Sequence, residues 1–168
     1  MNRRLLAGLA TATCAAVGLT WWLAIGDESV PVAGTPRGDD ARCEKVLDRL
    51  PRDLMGESRR STTNPGTAAW GGKGQVRLRC GLPPTAPSPN QCFRVSGADW
   101  VVDEPSLANG VWKAVSYGTD PAVQVRFPGA DASGSAWVEV SEALKPLKST
   151  GRRCIDNEDV PLPSPDHH

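Results

Sequence analysis

Gln75-Val76-Arg77-Leu78-Arg79-Cys80 alternates polar and apolar residues without a break. A period of two is the mark of a β-strand with one face in a core and the other toward solvent. The pattern returns downstream, where Val123, Val125 and Phe127 share one face and Gln124 and Arg126 the other. Val111 to Tyr117 reads as the hairpin partner of that second strand, with Gly118 to Pro121 between them. Two further short strands are expected at Cys92 to Val95 and Trp100 to Val102.

Helices flank these strands. Cys43, Val46, Leu47 and Leu50 fall at i, i+3, i+4 and i+7, one helical face. Asp39 or Asp40 can cap that helix, and Pro51 stops it. Trp137, Val140, Leu144 and Leu147 mark the buried side of a second helix. Three stretches read as irregular: Glu57 to Gly74 as a polar loop, Gly81 to Asn90 with four prolines as a turn-rich connection, and the segment through Pro105 and Asn109-Gly110. The expected fold is α+β: a small antiparallel sheet of about five short strands packed with two helices.

The chain has 168 residues, a length that favours one domain. Gly and Pro make up 32 of them, in keeping with short elements and many turns. Zero formal net charge argues against a nucleic-acid binder. Arginine outnumbers lysine 14 to 5, and Ala, Gly and Pro are plentiful, as in a GC-rich coding sequence such as an actinobacterium's.

Residues 1–4 carry Arg3 and Arg4, and 5–25 contain no charge. As a helix those 21 residues would span about 31 Å, near the hydrocarbon thickness of a bilayer. Arginines before the run and Asp27-Glu28 after it place the N-terminus in the cytoplasm. Trp21 and Trp22 sit at the outer end, where indoles favour the interface. The expected layout is a transmembrane signal-anchor at 5–25, a flexible linker at 26–40, an extracytoplasmic domain at 41–154 and a disordered acidic, Pro-rich tail at 155–168. The alternative is secretion after cleavage near Val32-Ala33-Gly34. Cys14 reads as an ordinary membrane residue, since Thr13 precedes it and the apolar run continues past it.

Four cysteines lie beyond the membrane segment: Cys43, Cys80, Cys92 and Cys154. An even number in an exported chain reads as two disulfides, and four cysteines allow three pairings. The expected bonds are Cys80–Cys92, at the base of the proline-rich connection, and Cys43–Cys154, closing the domain. Chain entropy would make these worth about 3 and nearly 5 kcal/mol.

Arg79-Cys80-Gly81-Leu82-Pro83-Pro84 stands at the centre of an ordered set. The set includes Cys43 with Leu50-Pro51, Arg59-Arg60, Ala69-Trp70-Gly71, Cys92, Gly97 with Trp100, Tyr117-Gly118, Pro121 to Val125 and Arg153-Cys154. The set resembles an actinobacterial family of small exported proteins, domain of unknown function 3515, over nearly the whole chain after the linker. The resemblance implies a single membrane anchor, an extracytoplasmic domain and no known activity. Family genes often lie near that of the cell-wall D-alanine ligase, which implies an envelope role. The family's hairpin tends to read Tyr-Gly-Arg, whereas Thr119 follows Gly118 here.

Few catalytic sets can be assembled. Histidine occurs only at His167 and His168, so Ser-His-Asp, Cys-His and His-metal arrangements cannot form in the body of the domain. No cofactor is expected. Gly71-Gly72-x-Gly74 lacks the Lys-Ser/Thr ending of a phosphate loop. Ser141 and Lys145 lie one helical turn apart, as on any solvated helix. Asp99, Asp103 and Glu104 beside Trp100, and Glu139 and Glu142 beside Trp137, are the carboxylates of a hydrolase alternative acting on envelope polymers.

Two binding patterns remain. Arg77, Arg79 and Arg126 occupy the outward positions of two strands and would form a row if those strands are neighbours. Arginine forks suit carboxylate and phosphate. Trp70, next to two glycines, is a candidate for stacking on a sugar or seating a partner. The expected role is a membrane-anchored, non-enzymatic accessory domain of the cell envelope. Its expected partner is an envelope protein or an anionic cell-wall component; a structural module of a membrane complex is the remaining alternative.

Overall fold

A computed structural model describes residues 28–72, 74–129 and 134–155. The expected cytoplasmic residues, the apolar run at 5–25 and the tail from residue 156 lie outside the described residues. Among those described, no helix is long and apolar enough to cross a membrane.

The first helix, α1 (Ala41–Arg49), begins where Asp40 accepts a hydrogen bond from the Arg42 backbone N–H at 2.9 Å. It ends at Leu50, whose extended backbone is the one proline imposes on the residue before it. Cys43, Val46 and Leu50 are buried, as their spacing requires. The strands are β1 (Asp53–Leu54), β2 (Glu57–Arg60), β3 (Thr67–Trp70), β4 (Val76–Leu82), β5 (Cys92–Val95) and β6 (Ala98–Val102). After them come a short helix α2 (Glu104–Ala108), β7 (Val111–Tyr117), β8 (Thr119–Asp120), β9 (Ala122–Pro128), helix α3 (Gly134–Ala143) and β10 (Lys148–Ser149). The eight-stranded antiparallel sheet runs β1-β2-β3-β4-β9-β7-β6-β5, and β8 pairs with β10 apart from it.

The α+β class holds, with eight strands in the main sheet rather than five. The extra strands come mainly from Glu57 to Gly74, which the sequence presented as a loop. Strand β3 lacks alternation because both its faces are covered. Ala68 and Trp70 enter the main core, and Ala69 meets Val30 and Val32 on the other side. Residues 28–40, expected as a free spacer, are thus built into the domain from Val30 onward. Val30 bridges to Thr62, and the Arg37 N–H donates to the Gly81 carbonyl at 3.1 Å. Gly81 makes this crossing possible: at φ +99° a Cβ there would lie 2.3 Å from the Arg37 carbonyl carbon. The second helix is shorter than its pattern, ending at Ala143, with Leu144 and Leu147 in the turns that follow. The segment after Asp103 forms α2 rather than a loop.

The cysteines pair as Cys43–Cys80 and Cys92–Cys154, overturning both expected bonds. Strand order explains why. Cys80 on β4 and Cys92 on β5 are separated by β9, β7 and β6. Four inter-strand steps of about 4.8 Å put them roughly 19 Å apart, far beyond disulfide reach. Cys43 instead projects from α1 onto β4, and Cys154 comes to rest beside β5. The bonded residues are 37 and 62 positions apart, so chain entropy makes each bond worth about 4 kcal/mol.

Helices α1 and α3 cover one face of the sheet. Phe127, Trp100, Phe93 and Trp112 surround the Trp137 ring edge to face, with centroids 4.8 to 6.2 Å from it.

Candidate functional site

On the face away from the helices, β4, β9 and β7 present polar side chains. Arg77 lies directly opposite Arg126, and Arg126 lies opposite Lys113 on the next strand. Two register positions away, on the same face, Arg79 lies opposite Gln124. The expected row of Arg77, Arg79 and Arg126 is therefore brought together, and Lys113 extends it by a strand. All four cations are half-buried.

Neutral oxygens steer the guanidiniums. Arg77 Nε donates to the Gly74 carbonyl at 2.7 Å and an Arg126 head nitrogen to the Gln75 carbonyl at 3.3 Å. Arg79 reaches Gln124 Oε1 at 3.2 Å and the Gly34 carbonyl at 3.0 Å. Its Nε is buried with no hydrogen-bond partner among the described residues. Lys113 is engaged by Asp103, whose carboxyl that hydrogen bond holds below the usual carboxylate range. Glu28, Arg60 and Arg77 share a cavity of about 290 Å³ at the β4 end of this face.

Trp70 does not belong to this surface. It is wholly buried in β3, and its indole N–H donates to the Pro51 carbonyl at 3.1 Å. The flanking glycines suggested an open loop, but they form the turn that leads from β3 to β4. Beside the Trp70 ring, Arg59 stands 6.0 Å from its centroid and donates to the Leu47 carbonyl at 2.7 Å, closing the end of α1. Burial lowers the Arg59 pKa from its ordinary value.

Most of the remaining chemical candidates are engaged in structural contacts. Ser141 accepts a hydrogen bond from the Trp100 indole at 3.0 Å, and Lys145 pairs with Glu142 instead of with Ser141. Asp99 is gripped by Arg94 through two contacts of 2.7 Å. Glu104 accepts the Gln91 N–H at 3.2 Å. Among the described residues no three His, Cys, Asp or Glu side chains gather as metal ligands.

A second knot of charge fixes the N-terminal segment. Arg37 joins Asp120 at 2.6 Å and Asp40 at 2.9 Å, and Arg42 holds Asp40 at 2.8 Å. The Arg42 side chain and backbone N–H, with Arg37, keep the Asp40 carboxyl far below the carboxylate range.

Residues 8–150 match a family described as "Protein of unknown function (DUF3515)". The chain belongs to this family. No curated protein and no solved structure matches it.

The family match takes in all three row arginines and three of the four paired cysteines; Cys154 lies just past its end. Sequence reasoning missed Lys113, because its strand faces polar and apolar residues without clean alternation. It also missed a larger cavity at the other end of the sheet, lined by Arg94, Asp99, Tyr117, Lys145, Arg152 and Arg153 among others. Thr119 lines that cavity too.

Proposed function

We propose that this protein is a membrane-tethered, non-enzymatic binding domain of the cell envelope that holds an anionic wall component on the arginine face of its sheet. The observation that carries the reading is the direct cross-strand pairing of Arg77 with Arg126, extended by Lys113. Like charges set opposite each other destabilise a sheet, so such a row reads as serving a ligand. Arginine's fork matches phosphate and carboxylate oxygens, both abundant in an envelope.

Placement outside the cytoplasm is supported by two disulfides, which persist in oxidising compartments. The tether is supported by the uncharged run 5–25 behind Arg3 and Arg4. With an anchor at 5–25 and the domain already begun at Val30, the sheet lies close to the membrane surface. An actinobacterial source fits the arginine-rich composition. Of the carboxylates in the hydrolase alternative, Asp99, Asp103 and Glu142 are each paired with a cation.

The test is co-sedimentation of the full-length protein, in discs of neutral lipid, with an isolated phosphate-rich wall polymer over a series of salt concentrations. Binding should weaken as salt screens the charges. The R77Q/R126Q double variant should bind at least about tenfold more weakly. Equal binding by the variant and the parent would reject the reading.

A further inference from the structure

Glu28 is held at one rim of the sheet. Arg60 donates to the Glu28 carbonyl at 3.2 Å and to the Gly72 carbonyl at 3.3 Å. Gly72 belongs to the turn between β3 and β4, and it lines the smaller cavity together with Glu28, Ser29 and Pro31. From this rim the chain runs alongside β4, in the same direction, to the opposite rim. The Val30 N–H donates to the Ser61 carbonyl at 2.8 Å, and a Cβ on Gly74 would lie 2.4 Å from Val30 Cγ1. Asn64 donates to the Val32 carbonyl at 2.7 Å, and Arg79 to the Gly34 carbonyl at 3.0 Å. Arg37 closes the run, bonded to Gly81 near the end of β4 and to Asp120 of β8.

The opposite rim holds the larger cavity. Tyr117, Gly118 and Thr119, where β7 passes into β8, and Ser149 of β10 stand in its wall. Six residue steps from Val76 to Leu82, at about 3.3 Å each, put the two rims about 20 Å apart.

Only residues 26 and 27 lie between the uncharged run 5–25 and Glu28. Three Cα steps of about 3.8 Å keep Glu28 within about 11 Å of residue 25. The headgroup layer outside the hydrocarbon is itself about 6 Å thick. With 5–25 as the tether proposed above, on which this inference rests, the β3–β4 rim is therefore confined to the headgroup layer and its edge. Its exposed residues, Glu28, Ser29, Gly72 and Gln75 among them, suit that depth. The large apolar residues exposed among those described, Val138 and Ile155, lie on α3 and in the C-terminal segment, so the rim carries none to insert into hydrocarbon.

We infer that the β3–β4 rim rests against the phospholipid headgroups, with the strands near the bilayer normal and the larger cavity opening away from the membrane. The direction of residues 28–37 sets the upright stance, because the chain leaves the bilayer already running along the strands. Whatever the larger cavity takes then comes from the wall side and not from the bilayer. The arginine face stands edge-on to the membrane, where a polymer can reach it.

The experiment uses the full-length protein with Cys14→Ser, carrying one fluorophore on Gly72→Cys or on Lys148→Cys. It sits in neutral-lipid discs that include a phospholipid with a nitroxide on its headgroup. Both positions are exposed, Gly72 at the membrane rim and Lys148 on β10 at the other. The nitroxide should quench the Gly72 label at least about threefold more than the Lys148 label, since about 20 Å separates the rims. Inserting about twenty Gly and Ser residues after Gly26, a coil roughly 25 Å from end to end, should bring that ratio close to one. Equal quenching at the two positions without the insert, as a domain lying flat on its arginine face would give, overturns the inference and leaves the tether standing. A chain that does not co-elute with the discs overturns both.

Discussion

On the helix side of the sheet, Trp100, Phe127 and Trp137 meet edge to face above Leu78, Val123 and Val125. On the opposite side stand Arg77, Arg79, Arg126 and Lys113, and over β3 Val30 and Val32 meet Ala69. Tryptophans and arginines were both candidates for ligand contact, and the fold sorts them. Trp70, Trp100 and Trp137 are buried, and Trp112 is half-buried against Trp137. The cations are left outward. One face carries the main core and the other the row of cations. Perturbations of the two faces should therefore separate cleanly.

The largest loss should come from C43A/C80A. Both sulfurs are wholly buried and clip α1 to β4. Chain entropy and the vacated core volume together put the loss at about 5 kcal/mol in denaturant unfolding. Trp137→Ala should follow at about 4 kcal/mol, since it empties the centre of the aromatic cluster. A loss under 1 kcal/mol there would mean that the helix face is not the main core.

Asp40 offers a smaller and pH-dependent test at the margin between the faces. Asp40→Ala removes the α1 cap and should cost about 1 kcal/mol. The folded carboxyl titrates well below its unfolded value of about 3.9. Its stabilisation is thus complete above about pH 5 and drains away as pH falls through 4 toward the folded value. Asp40→Asn keeps a capping oxygen and should flatten that acid limb in a pH series of unfolding curves. The smallest effect belongs to the open face: R77Q/R126Q should change stability by no more than about 0.5 kcal/mol, and in the stabilising direction.

How much of this was legible depended on whether local pattern or sheet order decided the outcome. Strands β4 and β9 and helix α1 were readable because each buries one regular stripe. Strand β3 was not, because Thr67, Ala68 and Ala69 are small and covered on both sides. The Arg77, Arg79 and Arg126 row could be inferred up to the question of whether β4 and β9 are neighbours, which they are. Disulfide pairing was out of reach: Cys80 and Cys92 are close in sequence, yet three strands separate them. The basic cavity was equally hidden, since its cations run from Arg94 to Arg153 and are brought together by long-range contacts such as the β8–β10 pairing and the Cys92–Cys154 bond.

The account's central claim is that the arginine face serves binding and not folding. It is tested most directly by measuring thermal unfolding and wall-polymer binding on the same preparations of the parent and R77Q/R126Q. The account predicts a midpoint within about 3 °C of the parent and binding reduced at least about tenfold. A variant that melts much earlier yet binds the polymer as well as the parent would contradict it.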